Sequence, residues 1–67
     1  ELESILKNSI SELPEDLRMA ITLREYEALS YEEIASIMKC PVGTIRSRIF
    51  RAREIIDDVI NKNLNVL

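Results

Sequence analysis

The sequence predicts an all-α fold of four helices, with the last two forming a helix-turn-helix. Apolar residues recur at intervals of three and four along most of the chain, while the alternation expected of a strand is nearly absent. Pro14, Pro41 and the pair Ser30/Glu33 interrupt that periodicity where helices start and stop.

Leu2, Ile5, Leu6 and Ile10 share one helical face and predict a first helix over about Glu1 to Ser11. Pro14 suits the first turn of a second helix, where its missing N–H is not needed, and Glu15 and Asp16 favour the positive end of the helix dipole. Leu17, Ala20, Ile21 and then Leu23 or Arg24 carry that helix to about Ala28. Ser30 is a good N-cap, and Glu33 three residues on completes a capping box. The third helix is therefore Tyr31 to Met38, with Ile34, Ala35, Ile37 and Met38 expected to face inward. "KCPVGT" follows as a break, because Pro41 cannot continue a helix interior and pushes the preceding residue out of helical geometry. The fourth helix is expected from Val42 or Gly43 to about Lys62, with Asn63 to Leu67 as a frayed tail. A join of about three residues between the last two helices makes the helix-turn-helix.

With 67 residues, the chain is one small domain, 1–67, and a domain of this size buries only about 60% of the surface its unfolded chain exposes. A hydrophobic content of 46% with 31% charged residues fits a globular chain. There is no histidine, one cysteine and one glycine, which excludes a disulfide scaffold, a Cys/His zinc site and a glycine-rich phosphate cradle. Cys40 reads as a small apolar filler in the turn. No nucleophile–base pair can be named, so the chain is not an enzyme, and no cofactor, metal or small-molecule ligand is expected. No apolar run approaches the roughly 20 residues needed to span a bilayer, and no signal peptide is recognisable, which predicts a cytoplasmic protein without membrane insertion. The first residue is Glu1 and not methionine, so a piece of a longer chain is expected.

Charge is distributed unevenly. Lys39 to Arg53 holds five basic residues and no acid, whereas the other 52 residues carry four basic and twelve acidic groups. Such asymmetry is the footprint of a polyanion site on a chain that otherwise repels polyanions, the plain alternative being a solvated helix face. On a wheel of about 100° per residue with Arg46 at zero, Ile45, Ile49, Ala52 and Ile56 fall together between roughly 240° and 300°. Arg46, Ser47, Phe50 and Arg51 lie between roughly 0° and 140°, and Arg48 and Arg53 flank them. Phe50, the single phenylalanine, is thus placed outward among guanidinium groups. That set suits a DNA major groove, where Arg bonds guanine bidentately, an apolar group meets a thymine methyl and a hydroxyl bonds either base edge. Packing of Phe50 on the third helix, or stacking beneath arginines, is the alternative. For Arg53, a pair with Asp57 at i,i+4 competes with a phosphate contact.

"LPEDLRMAITLREYEALSYEEIASIMKCPVGTIRSRIFRAR" resembles region four of bacterial RNA polymerase sigma factors, in the extracytoplasmic-function group and nearest to the envelope-stress type of enteric bacteria. The resemblance covers Leu13 to about Glu54, roughly two-thirds of the chain. It implies recognition of the minus-thirty-five element of double-stranded promoter DNA in transcription initiation, while docked on the flap of the polymerase β subunit. By matching position, Arg46, Ser47, Phe50 and Arg51 would face bases. Arg24, Tyr31, Thr44 and Arg48 would lie near phosphates, helped by the backbone amides of Val42 and Gly43 at a helix N-terminus. An anti-sigma factor is a further partner that the resemblance suggests. Ala28 and Lys39 depart from the usual pattern, standing where many members have glycine at a helix end. Each is expected either to adopt a left-handed conformation, at about 1–2 kcal/mol, or to close the turn differently.

Two rival readings remain open at this point. A response-regulator output domain also binds DNA with four helices, although "GTIRSRIFRAR" fits the sigma pattern better. A protein-interaction module would dock the basic helix on an acidic partner and bind no DNA.

Overall fold

One long helix, α4 (Val42–Val66), is the surface on which α1 (Leu2–Ser11), α2 (Glu15–Glu25) and α3 (Tyr31–Met38) all pack. The computed structural model describes residues 2–66, and among them there is no strand. At about 1.5 Å rise per residue the 25 residues of α4 span roughly 37 Å, close to the 40 Å length of the molecule. The core is Leu13, Leu17, Ala20, Ile21, Ile34, Ile45, Ile49, Ala52 and Ile56. Four of the nine come from α4, at the positions its periodicity assigns to the buried stripe.

In α1, Leu6 and Ile10 are half-buried against the core and Ile5 is half-buried, but Leu2 is exposed at the first turn, and Glu1 lies outside the described residues. Ser9, also in α1, is buried and its hydroxyl donates to the carbonyl of Ile5 at 2.7 Å, so its burial leaves no unsatisfied group. Pro14 sits one residue before α2 instead of inside its first turn. Its carbonyl accepts from the Arg18 N–H at 2.9 Å, and Asp16 Oδ1 accepts from the Leu17 N–H at 2.9 Å. The second helix stops at Glu25, three residues short of the expected Ala28, because Ala28 is left-handed with φ 57°. The chain turns there, and the Leu29 N–H closes back on the Leu23 carbonyl at 3.2 Å.

The third helix has the expected bounds. Ser30 Oγ accepts from the Glu33 N–H at 3.0 Å, and the Glu33 carboxylate accepts from the Ser30 N–H at 2.8 Å. Ile34 is fully buried and Ala35 and Met38 are half-buried, but Ile37 is 55% exposed, against expectation. At about 100° per residue the stripe Tyr31, Ile34, Ala35 and Met38 centres near the Met38 direction, and Ile37 stands about 100° from it. The helix ends at Lys39 in a left-handed conformation, φ 56° and ψ 51°, and the N–H groups of Lys39 and Cys40 both reach the Ala35 carbonyl. Both positions that lack the usual glycine therefore take the left-handed alternative.

Pro41 caps α4 through its carbonyl, which accepts from Thr44 at 3.0 Å and Ile45 at 3.3 Å. α4 runs past the expected end at about Lys62 to Val66, and Leu67, the last residue of the expected tail, lies outside the described residues. The extension has local reasons. No Gly or Pro follows Lys62, Lys62 pairs with Asp58 at 3.3 Å one turn back, and the Asn63 amide donates to the Val59 carbonyl at 2.8 Å.

Two substitutions probe this packing. Ser30→Ala removes the cap and is expected to cost about 1 kcal/mol. Ala52→Leu forces bulk into a position with no exposed surface and is expected to cost about 1–3 kcal/mol. Thermal melts would measure both, and an unchanged melt for Ala52→Leu would contradict the close approach of the helices there.

Candidate nucleic-acid interface

Burying Ile45, Ile49, Ala52 and Ile56 leaves the opposite side of α4 to solvent, and Arg46, Ser47, Phe50 and Arg51 are all exposed on it. Phe50 is 66% exposed, so it does not belong to the core and is not packed away on α3. These four residues occupy the first turns of a helix whose N-terminal end is open. The first N–H groups of a helix have no acceptor within it, and those of Val42 and Gly43 are such groups. A Cβ added to Gly43 would meet nothing within 4 Å, and its φ is not positive. Glycine is therefore not demanded there by the backbone or by packing within this chain. Thr44 is half-buried beside it.

The other arginines are held in different ways. Arg48 is recessed, with only 27% of its side chain exposed; its Nε lies 3.6 Å from Asp16 Oδ2 on α2, and a terminal nitrogen lies 3.8 Å from Cys40 Sγ. Arg51 faces solvent and approaches Glu54 one turn on at 3.4 Å. Arg53 reaches across to Glu25 at the end of α2 instead of pairing with Asp57. The bond to Glu25 raises the guanidinium pKa further above its ordinary value, which leaves an always-charged group charged. Of the two roles weighed for Arg53, the intrahelical one is thus replaced by an interhelical one.

Arg24 and Tyr31 form a separate cluster beside the exposed face. Arg24 donates to the Leu29 carbonyl at 2.8 Å, and its guanidinium carbon lies 5.0 Å from the centre of the Tyr31 ring. The Arg46 guanidinium carbon lies 5.8 Å from the same ring, so Tyr31 joins the start of α3 to the second turn of α4. By resemblance, sequence reasoning set Arg24 and Tyr31 near phosphates and Arg46 at the bases, and it did not foresee that both arginines meet the Tyr31 ring. It missed Asp16, Glu25 and Glu54 as arginine partners. Glu54 was signalled by its i,i+3 spacing from Arg51, but the two partners on α2 carry no local signal in the sequence.

A groove of about 310 Å³ lies between α1, α2 and α4, with Leu6, Ile10, Ile21, Tyr26 and Ile56 in its lining. Among the described residues, no cluster of His, Cys, Asp and Glu could hold a metal ion, and no helix is long and apolar enough to cross a membrane.

Residues 4–56 match the family Sigma-70, region 4. Over 60 residues the chain is 70% identical to the ECF RNA polymerase sigma-E factors of Escherichia coli K12 and Salmonella typhimurium LT2, covering 90% of this chain and 31% of each relative. It is 63% identical over 60 residues to the RNA polymerase sigma-H factor of Pseudomonas aeruginosa, with the same coverage. The chain thus spans about a third of the length of these relatives. A match that runs from α1 to the last core residue of α4, and takes in the whole exposed arginine face, makes this chain a member of the sigma-70 region 4 family.

Proposed function

We propose that this chain recognises the minus-thirty-five element of promoter DNA as one part of a longer cytoplasmic sigma factor, and so directs transcription initiation by RNA polymerase. The observation that carries the reading is the exposed face of α4: Arg46, Ser47, Phe50 and Arg51 together on a helix free to enter a major groove. In this reading those four side chains meet base edges. Arg24, Thr44, the Tyr31 hydroxyl and the amides of Val42 and Gly43 meet phosphates. Arg48, recessed and held by Asp16, steadies α4 on α2 and offers its remaining donors to the backbone. Arg53 is assigned to its bond with Glu25, whose carboxylate offsets its charge, and makes no direct contact with the DNA. The protein partner is the RNA polymerase core, through the β-subunit flap. The apolar groove between α1, α2 and α4 supports a protein contact away from the reading face, and an anti-sigma factor would compete for the same surfaces.

Binding to duplex DNA is expected to depend steeply on salt. If about five phosphates are neutralised, the logarithm of the association constant falls with that of salt at a slope near −4 to −5. Titrations at several salt concentrations measure it, and an affinity indifferent to salt would favour the protein-interaction reading.

Arg51→Ala is expected to lose about 1–3 kcal/mol on the preferred site and to relax the choice at one base pair. Phe50→Ala should blunt discrimination while leaving stability within about 0.5 kcal/mol, as a surface substitution does. A selection from random duplex DNA followed by competition binding tests both; a variant that still selects the same site as strongly would contradict the assigned face.

Gly43→Ala separates folding from binding. The backbone accepts alanine, so the fold should gain about 0.4–1 kcal/mol, while a methyl group at the helix end holds a phosphate away and weakens binding to every sequence. Equal or tighter binding by this variant would show that no phosphate approaches there.

A further inference from the structure

Among the four arginines of α4's first half, Arg46 differs in what holds it. Arg48, Arg51 and Arg53 each lie beside a carboxylate, of Asp16, Glu54 and Glu25 respectively. Arg46 has no carboxylate partner among the described residues, and the group it meets is the ring of Tyr31. The difference is chemical. A carboxylate occupies N–H donors at the edge of the guanidinium, the same edge that bonds a guanine bidentately. An aromatic ring attracts the cation through its face and leaves the five edge donors free.

The ring is itself fixed. Tyr31 is the first residue of α3, immediately after the Ser30 cap, and is half-buried against the core. Arg24 approaches the same ring at 5.0 Å and is tied to the Leu29 carbonyl. The ring is therefore a platform held by two elements, with Arg46 resting on it from a third. Restricting a long, exposed arginine before it binds reduces the ordering that binding must impose.

We propose that the ring of Tyr31 positions the Arg46 guanidinium for base reading, which makes Tyr31 a specificity-determining residue that touches no base. This deepens the promoter-binding reading and rests on it. The role belongs to the ring and is separate from any contact the Tyr31 hydroxyl makes with a phosphate. A phosphate contact strengthens binding to all sequences alike. Positioning of Arg46 instead changes the ratio of affinities between the preferred site and a site altered at the base pair that Arg46 reads.

The test measures that ratio with this 67-residue chain on the duplex site selected by the unaltered protein. The base pair is the one at which Arg46→Ala relaxes the choice. Tyr31→Leu is expected to lower the ratio about two- to fivefold, the usual worth of an exposed cation–ring contact. Tyr31→Phe keeps the ring and should keep the ratio, even if it binds all sequences less tightly. In the Arg46→Ala background Tyr31→Leu should leave the ratio where it is. Circular dichroism establishes that each variant is folded, and Tyr31→Met replaces the leucine variant if the latter melts below the assay temperature. The proposal is overturned if a folded Tyr31→Leu keeps the ratio, if Tyr31→Phe loses as much as leucine does, or if the loss persists without Arg46. If the unaltered chain selects no site at all, the promoter-binding reading fails first and the proposal falls with it.

Discussion

Everything on the surface of α4 is decided by the seam beneath it. Ile45, Ile49, Ala52 and Ile56 are buried together, and each of the other three helices packs on that side of α4. Fully burying an isoleucine is worth about 1.5–3 kcal/mol, so the three isoleucines dominate the choice of which side turns inward. Turning Phe50 inward instead would gain a similar amount once. It would also carry Arg46 and Arg51 towards the core, where an unpaired charge costs several kcal/mol. The exposed phenylalanine is therefore not a packing fault. It is the side chain left outside when the helix adopts the only rotation that keeps its arginines in water.

The acidic residues give that basic face its definition. The chain has a net charge of −3, yet the carboxylates near α4 are not spread at random: Asp16, Glu25 and Glu54 each stand beside one arginine. Exposed pairs of this kind add only about 0–1 kcal/mol to stability. Their larger effect is on which guanidinium edges remain free. A phosphate that approaches Arg51 must share it with Glu54, so that arginine responds to any polyanion less readily than an isolated one would. Arg46 carries no such competitor among the described residues, which sets it apart from its neighbours in sequence.

Much of the fold is legible in the sequence, because its signals are local. The Ser30/Glu33 box fixes the start of α3, the two prolines mark the starts of α2 and α4, and a period near 3.6 picks out the α4 stripe. The misreadings have separate causes. Ile37 is apolar and at helical spacing, but a helix of eight residues buries a stripe too narrow to hold all its apolar positions. The early stop of α2 depends on an alanine accepting a conformation normally left to glycine, which composition does not reveal. At the site, the outward face of α4 follows from the wheel alone. The partners of Arg48 and Arg53 do not, because Asp16 and Glu25 come to them through the crossing of α2 over α4, a tertiary fact.

That unusual alanine reaches as far as the exposed arginine face. With Ala28 left-handed, the chain reverses quickly enough for Leu29 to bond back to Leu23, and the Leu29 carbonyl then faces the Arg24 guanidinium. Arg24 so anchored lies over the Tyr31 ring, and the same ring receives Arg46. Lys39, also left-handed, does the corresponding work at the other end of α3, closing on Ala35 and bringing Cys40 near Arg48. Each such residue costs of order 1–2 kcal/mol, a large fraction of what a domain this small can spare. The cost falls at the two turns that set how α3 lies against α2 and α4. The strain therefore sits where it determines the placement of Arg24, Tyr31 and Arg46, and not in the core that holds the helices together.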